Sequence, residues 1–265
     1  MNKRNLCVLI LLFFFLSCST MYAAPSIQAS AAVLIDAKTG IILYSKNHDT
    51  LRPPASTTKI LTTILAIECG NLDEVVVISE NAAATGEASL HLRLGEHITL
   101  KNLVYGALLK SGNDACVAIA EAIAPSEEEF IGMMNLKAQT LGAYNTRFFN
   151  TNGLPQSGHT TTAYDLALMT RYALENELFS NIVNTKEYTM KWEDSSRSMY
   201  LKNINKLLWI YANATGVKTG TTDKAGKCLV ASARKEQKEI IAVLLNSPDR
   251  FGEARRLLEY GFNNI

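Results

Sequence analysis

Three short stretches of this chain carry side chains able to do covalent chemistry. In "PASTTKILTTILAIECG", Ser56 precedes Lys59 by three residues, which puts both on one helix face about one turn apart. A serine hydroxyl is a weak nucleophile until a base takes its proton, and burial makes lysine such a base by disfavouring the ammonium. Ile60, Leu61, Ile64, Leu65 and Ile67 wrap the segment in hydrocarbon, so the pattern predicts a buried helix. The competing expectation is a Lys59 that snorkels to water from the helix end. In "LLKSGNDACVAIAE", Ser111, Gly112 and Asn113 fall in the break between two helical patterns, which by itself is ordinary loop and capping chemistry. In "NATGVKTGTTDKAG", Lys218, Thr219 and Gly220 read as part of an extended strand bordering a site, where glycine permits close approach and lysine meets an anion. Lys-Thr-Gly also occurs at Lys38 to Gly40, but there it fills a hairpin turn after Asp36 and needs no other explanation.

The elements that must position these residues follow from periodicity and punctuation. Pro53 and Pro54 hold the chain extended, Ser56 is a favoured N-cap type and Gly70 a natural stop, so a helix is expected from Ser56 onward. Its start supplies unpaired backbone N–H groups suited to an oxyanion. "SAAVLIDA" and "GIILYSKN" read as one hairpin, "KCLVASAR" and "EIIAVLLN" as another, and "GEARRLLEYGF" as a closing helix. Residues of about 56 to 180 are largely helical by period. First and last strands pairing in one antiparallel sheet, with that helical lobe inserted, is an α+β arrangement.

Composition narrows the function classes. The 265 residues are 48% hydrophobic, enough for a sizeable core, and 26 basic residues balance 25 acidic ones without a basic stripe, so no nucleic-acid partner is expected. Cys69, Cys116 and Cys228 are odd in number and widely spaced, which predicts buried free thiols rather than a disulfide framework. His48, His91, His97 and His159 form no zinc-like pair, and no metal site is expected. "MNKRNLCVLILLFFFLSCSTMYAAP" has basic residues, an apolar run and small residues in the order of an export signal. The expected division is a leader over 1–24 and a single catalytic domain over 25–265, without a C-terminal β domain.

Taken in order, Ser56-Thr57-Thr58-Lys59, Ser111-Gly112-Asn113 and Lys218-Thr219-Gly220 resemble the signatures of penicillin-recognising serine acyl-transferases, and most of all the low-molecular-mass D-alanyl-D-alanine carboxypeptidases. "VLIDAKTGIILYSKN", "NTNGLPQSGHTTTAYDLALM" and "LLEYGF" are similar to that family as well, from about Ala31 to Phe262. The resemblance implies a five-stranded antiparallel sheet flanked by helices, the penicillin-binding protein and β-lactamase-like transpeptidase fold. It implies Ser56 as the acylated nucleophile, Lys59 as its base and Ser111 as a proton relay. Asn113 would hold the substrate amide, Lys218 and Thr219 the terminal carboxylate side, and Gly220 would admit the substrate strand. The N–H groups of Ser56 and Thr221 would form the oxyanion hole, and Arg250 would bind carboxylate. Peptidoglycan pentapeptide stems are the implied substrate, β-lactams the covalent inhibitors, and no cofactor is needed. The implied location is extracytoplasmic, in the wall or at the outer face of the membrane, with any membrane association through the N-terminal segment.

Rival readings share parts of this pattern. A class A β-lactamase would need a Glu-x-x-Leu-Asn loop, which is absent. A D,D-endopeptidase cutting peptide cross-links uses the same catalytic set, and a catalytically silent wall-binding protein could keep the same fold.

Overall fold

The computed structural model describes residues 23–193 and 195–265; the expected leader, but for its last two residues, lies outside them. Strands β1 (Ala31–Asp36) and β2 (Ile42–Lys46) form the first hairpin, and a 3-10 turn (Ala55–Thr58) leads into helix α1 (Lys59–Cys69). A ribbon of β3 (Val75–Val77) and β4 (His97–Thr99) brackets α2 (Glu80–Ala84). Helix α3 (Leu100–Tyr105) runs on as a π-helical turn (Gly106–Lys110), followed by α4 (Asn113–Ile123), α5 (Glu127–Thr140), α6 (Ala163–Glu175) and α7 (Glu177–Asn184). A second ribbon, β5 (Glu187–Lys191) with β6 (Ser198–Lys202), and short α8 (Leu207–Ile210) precede β7 (Ala214–Thr222), β8 (Gly226–Lys235), β9 (Lys238–Leu245) and α9 (Arg250–Asn264).

The expected sheet is present: β2-β1-β9-β8-β7, antiparallel throughout, with the first strand paired to the last in a register that sets Val33 opposite Val243. Side chains alternate between its faces. Val33, Ile35, Val230, Ile241 and Val243 join the core shared with the helical lobe, whereas Ala32, Leu34, Leu229, Ala242 and Leu244 pack beneath Ala254, Leu257 and Leu258 of α9. Both faces are covered, so the central strands read as near-continuous apolar runs. Strand β7 closes one end of the sheet and carries Lys218, which is paired in register with Val230.

Local chemistry explains the joints. Asp36 accepts from the backbone N–H of Thr39 at 2.6 Å in the first hairpin, which contains the first Lys-Thr-Gly as expected. Ser126, Thr162 and Asp249 cap α5, α6 and α9 through N–H groups three residues on.

Four expectations need correction. The 56–180 lobe is less helical than its periodicity suggests, because the β3/β4 ribbon and the long segment between α5 and α6 interrupt it. Ser56 does not cap a helix: it lies inside the 3-10 turn, α1 starts at Lys59, and neither segment has a side-chain cap. Gly70 does end α1, yet its φ is −99°, so close packing rather than a left-handed turn demands glycine, a Cβ there coming 2.4 Å from Leu100. All three cysteines of the described chain are free, but Cys69 is exposed rather than buried.

Candidate active site

Lys59 is fully buried, which rules out snorkelling. Ile60, Leu61, Ile64 and Leu65 are buried beside it, each adding on the order of 2 kcal/mol of apolar burial, so the helix tolerates one expensive amine. Its Nζ lies 2.9 Å from Ser56 Oγ, 2.7 Å from Asn113 Oδ1 and 2.6 Å from the carbonyl oxygen of Asn152. Burial pushes the ammonium down to about 8, against a weaker upward pull from Asp114 and Glu87. The neighbouring Cys116 thiol is itself pushed up to about 11 by burial, so at neutral pH it is uncharged and offers Lys59 no counter-charge. The amine beside Ser56 is therefore uncharged for a useful fraction of the time near neutrality.

The second signature turns sharply. The π-helical turn ends at Ser111, which is left-handed with φ of 67°, and Asn113 opens α4. This turn directs Ser111 Oγ to Lys218 Nζ at 3.0 Å, while Asn113 Nδ2 donates to the Gly86 carbonyl at 3.0 Å and leaves its Oδ1 for Lys59. Buried Asp114 anchors the facing loop, accepting from Ser89 Oγ at 2.6 Å and from the backbone N–H groups of Leu90 and Leu92.

The third signature lies on β7 against the turn that holds Ser56. Lys218 is buried, also donates to the Thr219 carbonyl at 3.0 Å, and is pushed well below the usual lysine range by burial and then by the charge of Lys59. At Gly220 the approach is tight, since a Cβ would come 3.0 Å from the Ser56 nitrogen and 3.1 Å from the Pro54 oxygen. Arg250, the first residue of α9, donates through Nη1 to the Gly220 carbonyl at 2.9 Å and to Thr221 Oγ1 at 2.8 Å. The weakest sequence match thus reaches the same strand as the strongest.

The structure brings together all nine residues expected at the site: Ser56, Lys59, Ser111, Asn113, Lys218, Thr219, Gly220, Thr221 and Arg250. Lys38 stays in its hairpin, where its carbonyl accepts from Arg171. Sequence reasoning missed Asn152, whose contribution is a backbone oxygen, and Asp114, whose work is to hold a loop. The turn residues around Asn152 were legible, since Asn150 Oδ1 accepts from Gly153 N–H at 2.7 Å and Asn152 Oδ1 from Leu154 N–H at 3.0 Å. Among the described residues no His/Cys/Asp/Glu group is arranged to hold a metal ion.

A buried amine lies beside one serine, and a second serine–lysine contact joins the turn ahead of α4 to the edge strand β7, a geometry suited to serine acyl transfer. The family model described as "D-alanyl-D-alanine carboxypeptidase" matches residues 19–249, and the chain belongs to that family. It is 39% identical to the D-alanyl-D-alanine carboxypeptidase DacF of Bacillus subtilis over 89% of this chain and 62% of that one. It is 36% identical to DacC of Escherichia coli over 94% of this chain and 66% of the other, so it spans about two thirds or less of these two relatives. The D-alanyl-D-alanine carboxypeptidase of Streptomyces sp. strain K15 is 35% identical over 92% of this chain and 90% of that one. The crystal structure of the Streptomyces K15 DD-transpeptidase superimposes with a TM-score of 0.87 at 35% identity, covering 91% of this chain and 99% of that one. The D-alanyl-D-alanine carboxypeptidase DacD of Francisella tularensis gives 0.84 at 31% identity, covering 91% and 71%.

Proposed function

We propose that this protein is a serine-type D-alanyl-D-alanine carboxypeptidase that removes the terminal D-alanine from peptidoglycan stem peptides through an acyl-enzyme on Ser56. The observation that carries the proposal is the contact of a fully buried Lys59 amine, at 2.9 Å, with the Ser56 hydroxyl. In this reading neutral Lys59 takes the hydroxyl proton as Ser56 Oγ attacks the carbonyl carbon of the penultimate D-alanine. The oxyanion that forms is met by the N–H groups of Ser56 and Thr221. Collapse breaks the peptide bond, and Ser111, whose oxygen is held by Lys218 at 3.0 Å, relays to the departing D-alanine nitrogen the proton that Lys59 took from Ser56. Water then hydrolyses the ester and restores Ser56. Asn113 orients the substrate amide, and Lys218, Thr219 and Arg250 supply the cationic and hydroxyl groups for the terminal carboxylate. Gly220 lets the substrate lie beside β7 as an added strand.

Neither the endopeptidase nor the silent wall-binding reading is favoured by the family description or the relatives' names. The structural relative titled a DD-transpeptidase supports one variation, in which an amine rather than water takes the acyl group. The proposal includes an exported location, with the leader over 1–24 and the catalytic domain over 25–265; among the described residues no helix is long and apolar enough to cross a membrane.

The test is fluorescent penicillin labelling, expected for the wild-type protein and lost in Ser56→Ala, followed by mass spectrometry of pentapeptide muropeptides for loss of one D-alanine. Folded protein that takes no label refutes the acyl-enzyme, and opened cross-links with intact pentapeptides refute the carboxypeptidase.

A further inference from the structure

We propose that His159 is a positioning residue that staples the loop of residues 149–159 to the nucleophile turn and so keeps water away from Lys59. The inference rests on the reading of Ser56 and Lys59 given above. His159 is buried and packs edge-on to Phe148, with ring centroids 5.6 Å apart. Its two ring nitrogens have different tasks. Nδ1 accepts the backbone N–H of Phe149 at 3.1 Å, so it carries no proton, and the ring is a neutral Nε2–H tautomer. Nε2 lies 3.0 Å from Thr58 Oγ1. The Thr58 hydroxyl gives its only proton to the Ala55 carbonyl at 2.9 Å, so its oxygen receives the imidazole N–H.

The antiparallel bridge of Arg147 with Thr160 closes the base of the loop, and the ring, joining residue 159 to residue 149 just inside it, ties that neck to the turn holding Ser56. What the loop delivers explains the consequence. Asn152 presents its carbonyl to Lys59 Nζ at 2.6 Å, and Thr151 presents its own to Thr62 Oγ1 at 2.6 Å. Gly153 (φ of 89°) presses so closely on Ala55 that a Cβ would stand 1.9 Å from the Ala55 oxygen. Ala55 is itself left-handed, with φ of 49°, immediately before Ser56. The carbonyl that receives the Thr58 proton is thus the one the loop backbone covers.

Lys59 is held as a base mainly by burial, and this loop is one wall of its enclosure. The ionisable groups facing Lys59 from the other elements are Cys116 and Asp114 on α4, Glu87 in the preceding loop and Lys218 on β7. None of them contacts the imidazole, so replacing His159 changes hydration at Lys59 without altering those charges. Freed from its staple, the loop admits water to the amine, and the ammonium is favoured again.

The experiment measures acylation by a fluorescent penicillin across pH in wild type, His159→Ala, Thr58→Val and His159→Gln, each with its melting temperature. His159→Ala and Thr58→Val are expected to move the midpoint of the acylation profile up by about one pH unit, lowering the rate at pH 7 about tenfold with the alkaline plateau kept. Gln, which can still donate to Thr58, should keep the midpoint close to the wild-type value. An unmoved midpoint in folded variants, with only the melting temperature lowered, makes His159 an ordinary core residue and overturns the proposal. If His159→Ala does not fold, the conservative Thr58→Val decides by the same criterion. Unlabelled wild-type protein would instead overturn the reading of Ser56 on which the inference rests, a result distinct from normal labelling with an unmoved midpoint.

Discussion

The sharpest consequence of a buried Lys59 is the pH dependence of acylation. With its ammonium pushed from 10.5 down to about 8, the neutral base makes up about 1% of the population at pH 6, about 9% at pH 7 and about half at pH 8. If the neutral amine is the base, the second-order rate constant for penicillin acylation rises roughly fifty-fold from pH 6 to pH 8 and levels off near pH 9. The same displacement has a stability counterpart. The folded value lies below the unfolded one, so the unfolded chain binds more protons between about 8 and 10.5. Stability from this group therefore rises with pH through that window and is lowest below it, by on the order of 3 kcal/mol. The assay is stopped-flow or gel-based labelling over pH 5.5 to 10, with Ser56→Ala as the blank. A rate flat from pH 6 to 8, or one still climbing tenfold per unit above pH 9, refutes the reasoning, because either result means that the amine titrating there is not a desolvated Lys59.

Other perturbations probe the neighbouring contacts. Gly220→Ala places a methyl group 3.0 Å from the Ser56 nitrogen, so acylation should fall by about ten- to a hundredfold while the urea midpoint changes little; unaltered kinetics would remove the strand from the substrate path. Gly153→Ala forces a Cβ within 1.9 Å of the Ala55 oxygen at a positive φ, and chemical denaturation should report a loss of about 3 kcal/mol or more. Lys218→Ala deprives Ser111 of its 3.0 Å partner and should cut turnover of D-Ala-D-Ala peptides about a hundredfold or more, whereas Lys38→Ala in the matching hairpin tripeptide should be almost silent; equal damage at both would erase the distinction between the two tripeptides.

Much of this molecule is readable along the chain because it is local. The hairpins follow from alternating apolar runs around turn residues, and α1 from its hydrocarbon belt interrupted by one lysine. The nine residues that the fold brings together could be picked out because their types and order are chemically specific: alcohols near amines, an amide, and a glycine where a strand must approach. Ser56 misled as a helix cap because its hydroxyl faces Lys59 rather than a backbone N–H, a choice between two local partners that propensity alone cannot make.

What the sequence by itself determined was the set of side chains that the fold brings together and the α+β scheme that carries them, since side-chain chemistry and the 2- and 3.6-residue periods are properties of the chain. Only the tertiary structure decided how basic Lys59 becomes, because that depends on what encloses it: a carbonyl from Asn152, an amide from Asn113 and a buried neutral thiol, all distant in sequence. A backbone oxygen has no residue-type signature, and desolvation is set by packing rather than by identity. The same holds for His159, which reads in the sequence as one unremarked histidine among four and in the fold joins a loop neck to the turn that holds Ser56.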